Sequence, residues 1–404
     1  MGSPMTDETT TKRNILVLAM AQTLGGSSGP IVISLGGLVG QELSTDPAIV
    51  TLPVSLYNLG LALGTLPAAF IMRRFGRRSG YLLGAATGLV AGLIAALGIY
   101  WASFWVFSLG TFVGGFYASY VQSYRFAAAD GVSGPLKGVA ISSVMVGGLA
   151  AAILGPQLVI WTRESIPDVP YAGSFLSQAA LALLAIPVLL LLRSPERSGV
   201  PQAQKSGGRP LSEILRSPRY ILAVAAGVVS YGLMTFVMTA APVAMVHMGH
   251  SVGNAALGIQ WHVLAMFGPS FITGRLMARF GKERVTALGL AIIGVSAMVA
   301  LSGTEIVQFW VSLTLLGIGW NFGFLGATAM VTDCHSPEER SKVQGTNDFI
   351  VFGIVALASF SSGALLTSSG WAALNWLVFP AVALILVPLI WRIRRGTTSA
   401  PAAV

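Results

Sequence analysis

Residues 71–78 read Ile-Met-Arg-Arg-Phe-Gly-Arg-Arg, a short basic loop between two long apolar segments, and this loop occurs twice. Residues 276–283 read Leu-Met-Ala-Arg-Phe-Gly-Lys-Glu, so that Met72 recurs as Met277, and 277 minus 72 gives an offset of 205. The same offset holds beyond the loop, because Phe-Trp-Val at 104–106 recurs at 309–311. A repeat that keeps its register over a whole apolar segment indicates a duplicated half.

The composition excludes a water-soluble protein. The chain has 404 residues, of which 54% are hydrophobic and 10% charged, and its mean hydropathy is +0.75. These values are typical of a polytopic membrane protein. Crossing about 30 Å of hydrocarbon takes roughly 20 apolar residues per helix, because every backbone polar group must be paired inside the segment. The apolar runs are long and lack two-residue alternation, so we predict helices rather than a barrel.

Twelve such runs follow one another, six in each half. They cover residues 14–40, 47–72, 79–100, 104–127, 136–161, 173–192, 218–245, 255–277, 285–303, 309–331, 340–366 and 371–391. The predicted fold is therefore an all-α membrane protein with twelve transmembrane helices in two pseudo-symmetric six-helix halves. The predicted domains are a tail at 1–13, a half at 14–192, a linker at 193–217, a half at 218–391 and a tail at 392–404. The linker is rich in Ser, Gly, Pro and basic residues, a composition with little reason to pack.

The basic residues orient this bundle. Of 24 Lys and Arg residues, the twelve-span arrangement leaves only Arg163 in an outside loop. Cytoplasmic loops retain Lys and Arg, so we expect both termini and the linker in the cytoplasm of a multi-pass protein of the plasma (inner cell) membrane. The net charge of +9 is then explained by a basic face that meets anionic lipid, and nucleic acid is not an expected partner.

Several classes of function lack their signatures. Cys334 is the single cysteine, which excludes an intrachain disulfide. The sequence has no His-Glu-x-x-His pair, no phosphate-binding Gly-Lys-Ser or Gly-Lys-Thr loop and no Gly-x-Ser-x-Gly elbow. His247 and His250 have no carboxylate nearby and make a poor metal site. We therefore expect no enzyme, no catalytic residues, no metal and no cofactor.

The two six-span halves, the central linker and the basic loops after spans 2 and 8 resemble the major facilitator superfamily of secondary transporters over essentially the whole chain. The loop signature of that family is Gly, three residues, Asp, a basic residue, any residue, Gly and two basic residues. Asp is replaced by Arg73 in the first copy and by Ala278 in the second, so the resemblance implies the fold but not the usual latch of the cytoplasmic gate. The conformational loop residues that it implies are Arg74, Gly76, Arg77, Arg279, Gly281 and Lys282.

The family fold implies that spans 1, 4, 7 and 10 surround a central cavity with a site near mid-membrane. Span 4 carries three tyrosines at helical spacing, which either line the cavity or pack between helices; we favour the cavity because polar residues share the span. The candidate cavity residues are Gln22, Asn58, Tyr117, Tyr120, Gln122, Tyr124, Tyr231, Trp320 and Asn321.

Asp348 is the only carboxylate predicted inside the membrane, where burying a charge is costly. Either it has a function or it is an interfacial acid beside a cytoplasmic Arg; our hypothesis is that it pairs with Arg73 or Arg125 as a substitute latch. Two other interpretations of Arg125 are that it attracts an anionic solute or that its side chain snorkels to the membrane interface. His262, in mid-span 8, is either a proton-coupling residue or a neutral helix contact. Upstream of Asp348, Ser336 followed three residues later by Glu339 predicts a helix start.

The sequence thus predicts an alternating-access secondary transporter that moves a small, partly apolar organic solute across the plasma membrane. Its expected partners are that solute, protons and the lipid bilayer, and we expect a monomer. Efflux is favoured over uptake because of the expected character of the solute. The alternative is a membrane receptor or interaction protein that keeps a transporter fold without transporting.

Overall fold

The computed structural model describes residues 4–130, 136–193, 208–336 and 338–398. In these ranges the chain is helical and forms no strand. The helices of the first half are α1 (Pro4–Gly26), α2 (Ser28–Leu43), a short 3-10 helix (Pro47–Ile49), α3 (Leu52–Phe75), α4 (Arg77–Tyr100), α5 (Phe104–Gln122), α6 (Tyr124–Asp130), α7 (Leu136–Thr162) and α8 (Ala172–Leu190). Those that follow are α9 (Leu211–Leu215), α10 (Pro218–His247), α11 (Val252–Phe267), α12 (Ser270–Phe280), α13 (Lys282–Leu301), α14 (Ile306–Thr332), α15 (Arg340–Trp376) and α16 (Val378–Thr398).

The predicted number of membrane crossings agrees with these helices. Ten stretches of the described chain are long and apolar enough to span a membrane, or eleven when α11 and α12, bent by 42° at their break, form one span. One stretch, Lys342–Arg395, has 54 residues. At 1.5 Å per residue it would extend about 81 Å, far beyond a hydrocarbon core of about 30 Å. Its helix breaks at Gly370, where φ is 77° and ψ is 178°, so the stretch makes two crossings and the total is twelve.

The two repeated loops have the same backbone geometry. Gly76 alone separates α3 from α4, with φ 85° and ψ 158°. Gly281 alone separates α12 from α13, with φ 90° and ψ 152°. Positive φ of this size is readily adopted only by glycine, which explains why both copies of the loop contain it. The sequence repeat is therefore a repeat of structure.

The chain divides into two compact units. The first comprises Met1–Val200 with Thr239–Leu264, and the second comprises Pro201–Met238 with Ala265–Val404. Within the first unit, Gln157 Nε2 donates a hydrogen bond to Gln260 Oε1 at 2.9 Å. Residues 239–264 thus group with the first unit, whereas the repeat predicts halves at 14–192 and 218–391. Those boundaries stay a prediction, and residues 194–207 of the predicted linker lie outside the described ranges.

Small residues bring the helices of the first unit into contact. A Cβ atom added to Gly88 on α4 would lie 2.4 Å from Cδ1 of Tyr117, and one on Gly84 would lie 2.7 Å from Cγ of Tyr120. On α3, a Cβ atom at Gly60 would lie 2.1 Å from the Phe112 carbonyl oxygen. Such close approach between helices is the role of small residues in membrane bundles.

Candidate functional site

The second unit contains a group of five aromatic side chains from four helices, here called the aromatic cluster. Its members are Tyr231 on α10, Phe267 on α11, Trp320 and Phe324 on α14, and Phe352 on α15. Trp320 and Phe324 are four residues apart and therefore share one face of α14. Their rings are stacked, with centroids 5.4 Å apart and an interplanar angle of 22°.

Two of the other rings meet this stacked pair edge-on, and the third contacts Tyr231. The Tyr231 centroid lies 5.4 Å from that of Trp320 and 4.9 Å from that of Phe324, at 75° and 64°. Tyr231 also contacts Phe352 at 5.8 Å, and Phe267 lies 6.2 Å from Trp320. Edge-to-face and offset contacts at these separations are the favoured geometries of aromatic pairs. The cluster is thus a continuous aromatic surface centred on Tyr231 and Trp320.

The indole nitrogen at the centre of the cluster lacks a hydrogen-bond partner within the described part of the chain. Trp320 is 6% exposed, and its Nε1 is buried without a hydrogen-bond acceptor among the residues that the structure describes. Buried donors in folded proteins are usually paired, so an unpaired one calls for an explanation. The rings of Tyr231, Phe324 and Phe352 are only partly buried. The cluster therefore offers aromatic surface and one unused donor to a planar solute that carries an acceptor.

Asn321, a predicted cavity residue, is instead bonded within the protein. It is fully buried, and its Nδ2 donates to the Met266 carbonyl oxygen at 2.6 Å and to Ser270 Oγ at 2.7 Å. Thr273 Oγ1 donates to Asn321 Oδ1 at 2.5 Å. Its partners flank the bend between α11 and α12, where Pro269 has no N–H with which to continue the helix. Asn321 therefore joins α14 to this bend.

The three predicted tyrosines of span 4 lie in the hydrophobic core of the first unit. Tyr117, Tyr120 and Tyr124 are 1%, 5% and 0% exposed, and they pack with Leu18. The Tyr124 ring meets that of Tyr81 edge-on, with centroids 4.7 Å apart. These contacts fit the interpretation in which the three tyrosines pack between helices. Their predicted role in lining the cavity stays a prediction.

The remaining polar candidates of the first unit are not brought together in the core. Gln122 is exposed on α5, whereas Gln22 on α1 and Asn58 on α3 are partly buried. A substrate role for these three side chains also stays a prediction.

The predicted coupling residues occupy different environments. His262 on α11 is completely buried. Asp348 is exposed on α15, where Asn347 Nδ2 donates to its Oδ1 at 3.1 Å. Arg73 is exposed at the end of α3, and the guanidinium of Arg125 lies 4.8 Å from the centroid of the neighbouring Phe126 ring. Their roles in coupling or gating stay predictions.

Both conformational loops place an arginine over the next aromatic ring. The guanidinium of Arg74 lies 5.7 Å from the Phe75 centroid, and that of Arg279 lies 5.2 Å from the Phe280 centroid. Both distances are within the range of a cation–π contact. The two copies of the loop thus share a side-chain contact as well as a glycine.

An ion-pair group holds the second loop to the end of α14. Lys282 Nζ lies 2.5 Å from Asp333 Oδ1 and donates to the Ala329 carbonyl oxygen at 3.0 Å. Arg219 Nη2 lies 3.2 Å from Asp333 Oδ2. Sequence reasoning missed Asp333. The available signal was a carboxylate two residues after span 10, in a sequence where Ala278 replaces the Asp of the loop. Asp333 thus supplies a carboxylate to this loop from another helix.

A second ion pair joins the described end of the linker to the segment before α15. Arg209 Nε and Nη2 lie 3.0 Å from Glu339 Oε1 and Oε2, and the Ser336 N–H donates to Oε2 at 3.0 Å. The bond to Ser336 is the one that the predicted helix start requires, although the helix itself begins at Arg340. The Arg209 side chain, with the N–H groups of Ser336 and Arg209, lowers the pKa of Glu339 to about 2.

Comparison with known proteins agrees with this architecture. The model of the Major Facilitator Superfamily matches residues 15–271 and 261–403. The riboflavin transporter RfnT of Brucella anthropi is 68% identical over 398 residues, which are 98% of this chain and 100% of that protein. The uncharacterized MFS-type transporter YdeG of Bacillus subtilis is 29% identical over 405 residues, 96% of this chain and 94% of that one.

Among solved structures, the nucleoside transporter NupG aligns with a TM-score of 0.71 at 13% identity, over 94% of this chain and 99% of that one. At this identity the likeness concerns the fold alone. The relatives are named as transporters and not as enzymes or receptors, so the receptor alternative gains no support. The chain is a multi-pass membrane protein and belongs to the Major Facilitator Superfamily of secondary transporters.

Proposed function

We propose that this chain transports riboflavin across the plasma membrane. The observation that carries the proposal is the 68% identity, over 98% of the chain, to a protein named as a riboflavin transporter. Riboflavin combines a flat, three-ring isoalloxazine with a polyhydroxyl chain and is uncharged at neutral pH. It therefore belongs to the class of small, partly apolar solutes that the sequence predicts.

The aromatic cluster is the proposed binding surface for the isoalloxazine ring. Tyr231 contacts three other rings of the cluster and is itself only partly buried, so part of its surface is open to a ligand. An aromatic pair contributes about 0.5–1.5 kcal/mol beyond the burial of its area. Tyr231→Ala removes one such contact together with the buried ring area, and should weaken riboflavin binding by about tenfold or more.

The binding proposal is tested with purified protein. Flavin fluorescence is quenched when the ring stacks on an aromatic side chain, so titration of riboflavin with protein measures the dissociation constant. Tyr100→Ala is the matched control, because it removes the same side chain from a position that is 69% exposed and outside the cluster. Riboflavin would be refuted as the solute if folded wild-type protein did not quench its fluorescence and its saturating solution did not change the melting temperature of the protein.

Proton coupling is proposed to involve His262 or Asp348. The imidazole is the side chain whose ordinary pKa lies near physiological pH, and His262 is buried in a span. In vesicles, an imposed pH gradient should drive riboflavin accumulation. His262→Gln or Asp348→Asn should abolish that accumulation yet preserve exchange of riboflavin at equal pH. Accumulation that persists in both variants would contradict this assignment.

The remaining parts of the proposal concern orientation and assembly. We propose cytoplasmic termini, which rest on the distribution of basic residues, and a monomer. Efflux is the direction predicted from the character of the solute alone. A comparison of riboflavin transport in right-side-out and inside-out vesicles tests this direction. The orientation is tested with a tag on each terminus of the protein and a protease added to intact cells. Cleavage of either tag from outside would contradict cytoplasmic termini.

A further inference from the structure

We propose that the indole N–H of Trp320 donates a hydrogen bond to a ring carbonyl of the flavin and thereby selects flavins from other planar three-ring compounds. The inference rests on the proposed function and deepens it, since it names the group that recognises the substrate. The isoalloxazine carries two carbonyl oxygens at one end of the ring system. The indole nitrogen is a donor only, so its partner must be an acceptor.

The first observation is the unpaired state of this donor. Trp320 is 6% exposed, and its Nε1 has no acceptor among the described residues. The rings in contact with the indole are those of Tyr231, Phe267 and Phe324, whose centroids lie 5.4, 6.2 and 5.4 Å from that of Trp320. A buried donor that stays unpaired destabilises the protein, because it has lost its hydrogen bonds to water without a replacement. Tryptophan at position 320 is therefore destabilising unless a ligand accepts the bond.

The second observation is the position of the donor inside the proposed stacking surface. A ligand that stacks on the partly buried rings of Tyr231 or Phe352 lies beside the Trp320 indole, because Tyr231 contacts both Phe352 and Trp320. The N–H is covered in the present conformation, so binding includes the displacement of a neighbouring ring. Phe267 is the proposed ring, since its 6.2 Å from Trp320 is the widest spacing measured in the cluster.

Selectivity follows from the desolvated donor. A site built to hydrogen-bond a substrate rejects analogues that lack the matching group, because the buried polar group of the site is then left unpaired. Carbazole is planar and neutral, has three rings and carries an N–H donor but no acceptor, whereas lumiflavin keeps both flavin carbonyls and lacks the polyhydroxyl chain. The proposed site should therefore bind lumiflavin at least tenfold more tightly than carbazole.

The experiment compares these two ligands in wild type and in Trp320→Phe, which keeps an aromatic ring and removes only the donor and some ring area. The variant should lose about tenfold in lumiflavin affinity and keep its carbazole affinity within about twofold. Its melting temperature without ligand should not fall by as much as that of Trp371→Phe. That control removes a buried indole, 4% exposed and packed on Phe309, from outside the cluster, and it should leave both affinities unchanged.

The outcomes separate the two proposals. Riboflavin binding by wild type together with equal affinities for lumiflavin and carbazole would overturn the role of Trp320 and leave riboflavin transport standing. An equal loss of affinity for both ligands in Trp320→Phe would mean that the indole contributes by packing alone. That result would also overturn the inference. If the variant does not fold, the preference of wild type for lumiflavin remains the deciding measurement. Absence of riboflavin and lumiflavin binding in folded wild type would refute the proposed function itself.

Discussion

Replacement of Asn321 by leucine tests the structural role of a side chain that the sequence placed in the cavity. The change removes three hydrogen bonds, those to Met266, Ser270 and Thr273. Each contributes a net of about 1 kcal/mol in soluble proteins and about 0.6 kcal/mol between membrane helices. Their sum predicts a loss of about 2–3 kcal/mol in the free energy of unfolding. The bend between α11 and α12 should loosen at the same time.

The assay is reversible chemical unfolding in detergent, monitored by tryptophan fluorescence, with riboflavin binding measured on the folded fraction. Thr273→Val is the graded control: it removes one of the three bonds to Asn321 and should cost about a third as much. Riboflavin affinity of folded Asn321→Leu should fall by less than about threefold. A variant as stable as wild type but unable to bind riboflavin would show that Asn321 acts in binding and not in packing, which is the cavity role predicted from the sequence.

Three further predictions concern packing and charge. Gly281→Ala should destabilise the protein by about 1–2 kcal/mol in thermal unfolding, because φ there is 90°; an unchanged melting temperature would contradict it. Gly289→Val should unfold or fail to accumulate, since a Cβ atom would lie 2.2 Å from the Gly323 nitrogen, whereas Gly274→Ala, with nothing within 4 Å of its Cβ, should remain folded. Glu339→Gln should lower the melting temperature at pH 7. Arg209 lowers the pKa of Glu339 from 4.5 to about 2, so the difference in melting temperature between variant and wild type should shrink as the pH falls from 4.5 towards 2. A difference that grew over this range would contradict the prediction.

The fold could be predicted because its signals are local or repeated. Apolar length gives the crossings, and the repeated loop gives the duplication, down to the positive φ of Gly76 and Gly281. The break at Gly370 likewise separates two runs that the sequence had already divided. These features depend on the chemistry of neighbouring residues and on the thickness of the bilayer.

The site could be predicted only in part, because its geometry depends on contacts between distant helices. Tyr231 and Trp320 were predicted from their positions on spans 7 and 10, but Phe267, Phe324 and Phe352 were not. Phenylalanine occurs in eight of the twelve predicted spans, and nothing in its local pattern distinguishes a binding surface from packing. In the same way, the Arg209 pair with Glu339 joins residues 130 positions apart, and no periodicity predicts such a contact.

Riboflavin counterflow in proteoliposomes is the sharpest test of whether this chain transports riboflavin. Vesicles with purified protein are loaded with unlabelled riboflavin, and the entry of radiolabelled riboflavin is followed with no pH gradient. We expect transient accumulation of label that requires the protein and is reduced about tenfold or more at low ligand concentration by Tyr231→Ala, but not by Tyr100→Ala. No accumulation above protein-free vesicles, with folded protein in the membrane, would show that the chain does not transport riboflavin.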